Sequence, residues 1–281
     1  MTVYPVAAAH RRGGHISFLD EVRGPRASWD EVRRVAQSPT DRQAVAAAAF
    51  VATRRWDAET HAVATVTGGV GSLELDPSLL LEVRRPLSYQ GMRNRIGRLP
   101  VPSTEGQRSV WFESRNEQEN YWDLLISRRV VGMATQAMRL EWPFESGVRT
   151  HVPDALAELA DGTVLLIDVT SSRRLSDPNT AAVWLLTGAT ASALGMRYEV
   201  RTELSRQSAR NLSAVWARRQ ANPGQRRAWI DRARHVAFPT ALLPFARVLG
   251  EGDPNYAAVW HLVAHSFVQV DLGGPLHADS P

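Results

Sequence analysis

The chain has 281 residues, 44% of them hydrophobic, with a formal net charge of +4 and no cysteine; that is enough to bury a full core and to carry two or three domains of ordinary size. Without cysteine, disulfides, thiolate metal sites and cysteine nucleophiles are excluded, so any reactive site is built from oxygen and imidazole groups, which favours a hard cation. No run reaches the roughly 18 apolar residues of a membrane helix, and Met1 to Gly14 has no signal-peptide core, so the expectation is a cytoplasmic chain with no membrane partner.

All 33 basic residues are arginine. Arginine stays protonated and forks onto phosphate oxygens, whereas lysine can also lose its proton and act as a base. Arginine pairs recur along the chain. Arg173/Arg174 and Arg218/Arg219 are candidates for DNA phosphates, and solvated arginines balancing 29 acids are the equally available reading.

Residues 1–56 read as a helical extension. Ser28 and Glu31 form a capping box before a short helix, and an alanine-rich second helix is expected from Asp41 to Arg55. Gly68-Gly69-Val70-Gly71 lacks the lysine and hydroxyl of a phosphate loop and reads as a turn. After a glycine-containing loop, Glu113, Glu117, Tyr121, Leu124 and Leu125 share one helical face. The Glu117 carboxylate therefore points toward whatever that face packs on. A β-compatible segment, Ala134 to Trp142 with Gln136, and a turn at Glu145-Ser146-Gly147 follow.

Two strands come next, Arg149 to Leu159 and Thr163 to Thr170, joined through Ala160-Asp161-Gly162. Alternation puts Asp168 and Thr170 on one face, with Leu165, Ile167 and Val169 on the other. A three-residue loop sets Asp154 directly opposite Asp168; a two-residue loop sets it opposite Val169. We expect the first. Glu117, Asp154 and Asp168 meeting at the mouth of one sheet do not all stay ionised without a compensating cation, and oxygen-only ligands imply Mg2+ or Mn2+. Against this stands the reading of three ordinary surface or edge acids.

A helix over Asn179 to Leu194 and a strand over Arg197 to Thr202 close a region expected at 57–203. Helices over Ser205 to Gln220, Gly224 to Arg234, Thr240 to Leu249 and from Asp253-Pro254 to about Ser266 fill a C-terminal domain at 204–281. A strand over Phe267 to Leu272 would make that domain winged-helix-like; a purely helical domain is the alternative. His261 and His265 have the i,i+4 spacing of a metal pair, but Leu262 stands where a zinc-protease helix carries glutamate and no third ligand is evident, so they are read as packed histidines.

From about Tyr89 onward the chain resembles the TnsA family of heteromeric transposase endonuclease subunits, within the PD-(D/E)xK nuclease superfamily. The resemblance is carried by Tyr89-Gln90-Gly91-Met92-Arg93-Asn94, Glu113-Ser114 with Glu117, Val130-Val131-Gly132 with Gln136, and Pro153-Asp154. Further on come Asp161-Gly162, Ile167-Asp168-Val169, Leu243-Pro244, His261-Leu262, and Asp271-Leu272 with Pro275-Leu276. It implies an α/β fold with a restriction-endonuclease-like core, a mixed sheet flanked by helices. It also implies Glu117, Asp154 and Asp168 as metal ligands, Gln136 as a helper, and cleavage of double-stranded DNA at transposon ends beside an integrase-like transposase and an ATPase. The family pattern ends in a lysine two residues after the last acid, and here that position is Thr170. A neutral hydroxyl does not replace an ammonium, so a nuclease-fold DNA-binding or assembly protein without the chemistry is the rival expectation, and a defence or repair nuclease a third.

Overall fold

A computed structural model describes residues 10–12, 15–22, 24–57, 61–72, 75–86, 95–103, 106–127, 129–277 and 280. The stretch Tyr89-Gln90-Gly91-Met92-Arg93-Asn94 lies outside them. The chain divides into two compact units, Met1–Glu117 with Val130–Thr202, and Gln118–Arg129 with Glu203–Pro281. No helix among the described residues is long and apolar enough to cross a membrane.

In chain order the elements begin with β1 (His10–Arg12), β2 (His15–Ser17), α1 (Trp29–Gln37), α2 (Pro39–Ala47), β3 (Phe50–Asp57) and β4 (Ala62–Gly69). β5 (Leu80–Leu81), β6 (Arg84–Pro86), β7 (Gly97–Ser103), β8 (Gly106–Phe112) and α3 (Arg115–Ser127) follow. Next are β9 (Val130–Thr135), β10 (Met138–Phe144), β11 (Gly147–His151), β12 (Ala155–Leu159), β13 (Val164–Val169), α4 (Pro178–Ala193) and β14 (Arg197–Arg201). The second unit holds α5 (Arg206–Trp216), α6 (Pro223–Ala233), α7 (Leu242–Leu249) and α8 (Tyr256–Ala264).

The fold is mixed α/β. One sheet of the first unit has the order β14-β13-β12-β9, and another has β11-β10-β3-β4 with β5 also on β3. In the first sheet β9, β12 and β13 are mutually antiparallel, and β14 joins β13 in parallel through α4, because parallel neighbours need a crossover. Leu156 and Leu166 of this sheet, Leu140 and Trp142 of β10, and Ala182, Leu186 and Ala191 of α4 form one core with Val32, Val35 and Ala36 of α1. Buried Thr190 of α4 accepts the Trp142 indole N–H at 2.9 Å, so the one polar atom of that large side chain is satisfied inside the core.

Several sequence expectations are corrected. The expected second helix ends at Ala47, and Phe50 to Asp57 is a strand instead. Its backbone pairs with β4 along its length and with β10 over Phe50 to Thr53; tertiary pairing outweighs the alanine-rich local preference. The boundary expected at residue 56 thus falls inside β3. Ser28 caps α1 by accepting from the Glu31 N–H, but Glu31 does not return the bond to Ser28; its carboxylate takes the Glu145 and Ser146 N–H groups of the β10–β11 turn.

The strand expected over Arg149 to Leu159 is two strands in different sheets, β11 and β12, separated by Val152-Pro153-Asp154. Proline has no N–H for a ladder, and the chain changes sheet there. Phe267 to Leu272 forms no strand. The Asn211 amide donates to the carbonyls of Leu272 and Gly274, so a side chain supplies partners that a wing would have supplied by pairing, and the described part of the second unit is helical. Its core joins Leu212 and Val215 of α5, Phe245 and Leu249 of α7, and Val259 and Leu262 of α8.

Candidate functional site

The β12–β13 hairpin has the expected three-residue loop. Leu159 N–H donates to Thr163 O at 2.9 Å, and Ala155 stands opposite Ile167. One more residue in that register sets Asp154 opposite Asp168. On the other side Ala155 faces Thr135 of β9, and the Gln136 N–H donates to Asp154 O at 2.9 Å. Gln136, Asp154 and Asp168 therefore occupy one row across three neighbouring strands. Gln136 has φ +49°, a left-handed conformation that ends β9 at this row and turns the chain toward β10.

Glu117 enters from the first turn of α3 and is 8% exposed. Its Oε2 accepts the Glu113 N–H at 2.8 Å and its Oε1 accepts from the Ser114 hydroxyl at 2.9 Å, while Ser114 Oγ accepts the Glu117 N–H. The Gln136 side-chain amide donates to Glu113 Oε1, and an Arg84 guanidinium nitrogen lies 3.9 Å from that oxygen. Gln136 and Glu113 thus link the sheet row to the helix that carries Glu117.

Asp154 Oδ2 accepts the Val169 N–H at 2.7 Å. Desolvation holds its carboxyl well above the usual range, and the charges of Asp168 and then Glu117 push it further up, against the Val169 N–H and Arg84. Desolvation likewise raises Glu117 to about 7, with the charge of Glu113 adding to the rise and the Glu113 N–H, Ser114 and Arg84 opposing it. The three acids therefore share one electrostatic environment whose single named counter-charge is Arg84.

Asp168 is 3% exposed. His151 Nε2 lies 2.9 Å from each of its oxygens, and the Tyr198 hydroxyl donates to Oδ2 at 2.5 Å. Burial first, then Asp168, pushes the Tyr198 phenol upward, so it is a fixed donor. Thr170 hangs its backbone between Arg201 O and the Asn116 side-chain amide. The Thr170 hydroxyl and Gln136 Oε1 are both buried without a hydrogen-bond partner.

The donor set fits a hard divalent cation in chemistry: three carboxylates that raise one another's acidity constants, with two orphaned neutral oxygens on the same row and strand end. Among the described residues, no three acidic or imidazole side chains are drawn together as a ready cage.

Glu113, Arg84, His151 and Tyr198 were not anticipated as part of this site. Only His151, three residues before Asp154, carried a local signal; the other contacts depend on distant strands meeting. Arg173 and Arg174 lie in an exposed turn just past β13. Arg218 is exposed at the end of α5, and Arg219 stacks its guanidinium 4.3 Å from the Trp216 ring centre. Between residues 204 and 249 the only acid is Asp231, against arginines at 206, 210, 218, 219, 226, 227, 232, 234 and 247; this asymmetry is legible in the sequence and points to a polyanion. His261 is 1% exposed with neither ring nitrogen partnered, edge-on to Trp229, while His265 Nε2 bonds Arg219 O at 2.8 Å.

No protein-family model matches the chain, and no curated protein matches it.

Proposed function

We propose that the chain is a metal-dependent DNA endonuclease subunit with a restriction-endonuclease-like core, which hydrolyses a phosphodiester at transposon ends as part of a heteromeric transposase. The order of elements supports that core: a helix carrying one acid, an antiparallel meander carrying two, then a crossover helix and a parallel edge strand. The observation that carries the functional reading is the row Gln136-Asp154-Asp168, in which the charges of Asp168 and Glu117 both raise Asp154.

Under this reading Glu117, Asp154 and Asp168 hold Mg2+ or Mn2+, with Gln136 orienting Glu113 and offering its free Oε1. When bound, such an ion supplies Lewis acidity toward water and the scissile phosphate. Arg173 and Arg174 grip DNA phosphates beside the sheet, and the arginines of α5 and α6 extend the positive surface in the second unit. Neither arginine nor Thr170 serves as a general base at working pH. An integrase-like transposase would cut the other strand, and an ATPase would regulate the pair.

The experiment is incubation of supercoiled plasmid with Mg2+ or Mn2+, alone and with a cognate transposase. Nicking that disappears in Asp154→Ala is the expected result. The second reading, a nuclease-fold DNA-binding or assembly protein, is favoured by the neutral Thr170 at the expected lysine position. DNA binding without cleavage under every partner condition would select it.

A further inference from the structure

His151 has no part in the endonuclease reading above, yet it is the closest partner of one of its acids. Its Nε2 is 2.9 Å from Asp168 Oδ1 and 2.9 Å from Oδ2. An atom equidistant from both oxygens occupies the bisector of the carboxylate, where a cation sits when bound through both oxygens. The imidazole is not free to drift from that place. It stacks on Trp142 with ring centres 6.4 Å apart and planes 14° apart, and Trp142 is itself fixed by Thr190. Its backbone is held in β11 opposite Leu140. Tyr198 takes a further site on Oδ2.

We propose that His151 is a positioning residue that closes Asp168 as a chelating carboxylate, so that a divalent ion binds there only when the imidazole gives way. The proposal rests on the endonuclease reading and explains why the three acids are near one another yet form no ready cage. The contact orients Asp168 on the row with Asp154 and keeps the buried carboxylate hydrogen-bonded while no ion is present, as a buried charge requires. The same contact competes with the ion. Metal affinity is therefore lower than the bare carboxylate set would give, by the equilibrium equivalent of one charge-assisted hydrogen bond, about tenfold or more. Tyr198 binds off the bisector and need not leave.

The test is Mn2+ binding to the full chain, read by electron paramagnetic resonance of free Mn2+ and by calorimetry, in wild type, His151→Phe, Tyr198→Phe and Asp154→Ala. Phenylalanine keeps the stack on Trp142 and removes the nitrogen. The expected result is at least tenfold tighter binding in His151→Phe, a smaller change in Tyr198→Phe, and loss in Asp154→Ala. Weaker binding in His151→Phe would make the imidazole a ligand and overturn the proposal, and unchanged binding would overturn it too, with the endonuclease reading intact in both cases. Binding in neither wild type nor His151→Phe would sink both. A readout that needs no variant is the His151 side-chain NMR signal of the wild type during Mg2+ titration. It should shift as the Asp168 contact is exchanged; a signal that stays in place while the ion binds would contradict the proposal.

Discussion

Asp154 stands directly opposite Asp168 across the β12–β13 hairpin, and the Asp154 side chain takes the Val169 N–H from the same partner strand at 2.7 Å. The two carboxyls are thus fixed by backbone register, and only their outer oxygens are left to adjust. Glu117 is held more loosely with respect to this pair, through Gln136 and Glu113.

Such crowding has a cost that depends on pH. Glu117 is raised from 4.5 to about 7 and Asp154 is raised also, desolvation being the first cause in each. A carboxyl whose folded value lies above its unfolded value binds more protons in the folded state between the two. Stability is therefore highest below the unfolded value and falls as pH rises through the folded one. Metal-free protein should lose stability between about pH 4.5 and pH 7, by an amount on the order of 3 kcal/mol from Glu117. Urea denaturation at pH 5 and pH 8 measures it. Glu117→Gln should flatten the slope, and a slope unchanged in that variant would remove Glu117 from the crowded set.

Gly147 offers a test of how β11 is placed. It sits at φ +141°, and a Cβ added there would lie 2.2 Å from the Pro25 carbonyl oxygen, which accepts the Val148 N–H at 3.0 Å. Gly147→Ala should cost about 2 kcal/mol or more, because both the backbone angle and the close approach are lost. Denaturant unfolding gives the number. A change under about 0.5 kcal/mol, ordinary for a surface site, would mean that the β10–β11 turn is not held against Pro25.

The arginine assignments are separable by salt. Replacing Arg173 and Arg174 by alanine, and in a second variant Arg218 and Arg219, should each reduce the slope of log binding constant against log salt by about 0.9 for every phosphate contact removed. Fluorescence anisotropy on a DNA duplex over a range of salt reads the slope. A pair whose removal leaves the slope unchanged does not touch phosphate.

Much of this site was readable because its signals are local. Asp161-Gly162 marks the turn, Gly162 takes the φ of +82° that the loop demands, and period-two alternation then fixes which residues of β13 share a face with Asp168. Glu117 was readable from helical spacing. What local pattern did not reveal was pairing at a distance. Phe50 to Asp57 follows an alanine-rich helix, and only the neighbouring strands β4 and β10 make it extended. Pro153 separates two strands that look continuous in hydrophobicity, and the break lets His151 end one sheet beside Asp168 of another. Tyr198 reaches Asp168 because β14 lies parallel to β13 with Leu166 opposite Tyr198, a register set by the length of the α4 crossover. In the second unit, Val268, Val270 and Leu272 alternate as a strand would but pack against a helical core, with Asn211 supplying the hydrogen bonds.

The central claim is that Glu117, Asp154 and Asp168 chelate one or two divalent ions. Anomalous diffraction from crystals grown with Mn2+ tests it most directly. The account expects a peak within bonding distance, about 2.0–2.6 Å, of carboxylate oxygens from Asp154 and Asp168, with Glu117 in direct or water-bridged contact. No peak at saturating Mn2+, or a peak held by other residues while these three keep their protein partners, would contradict it.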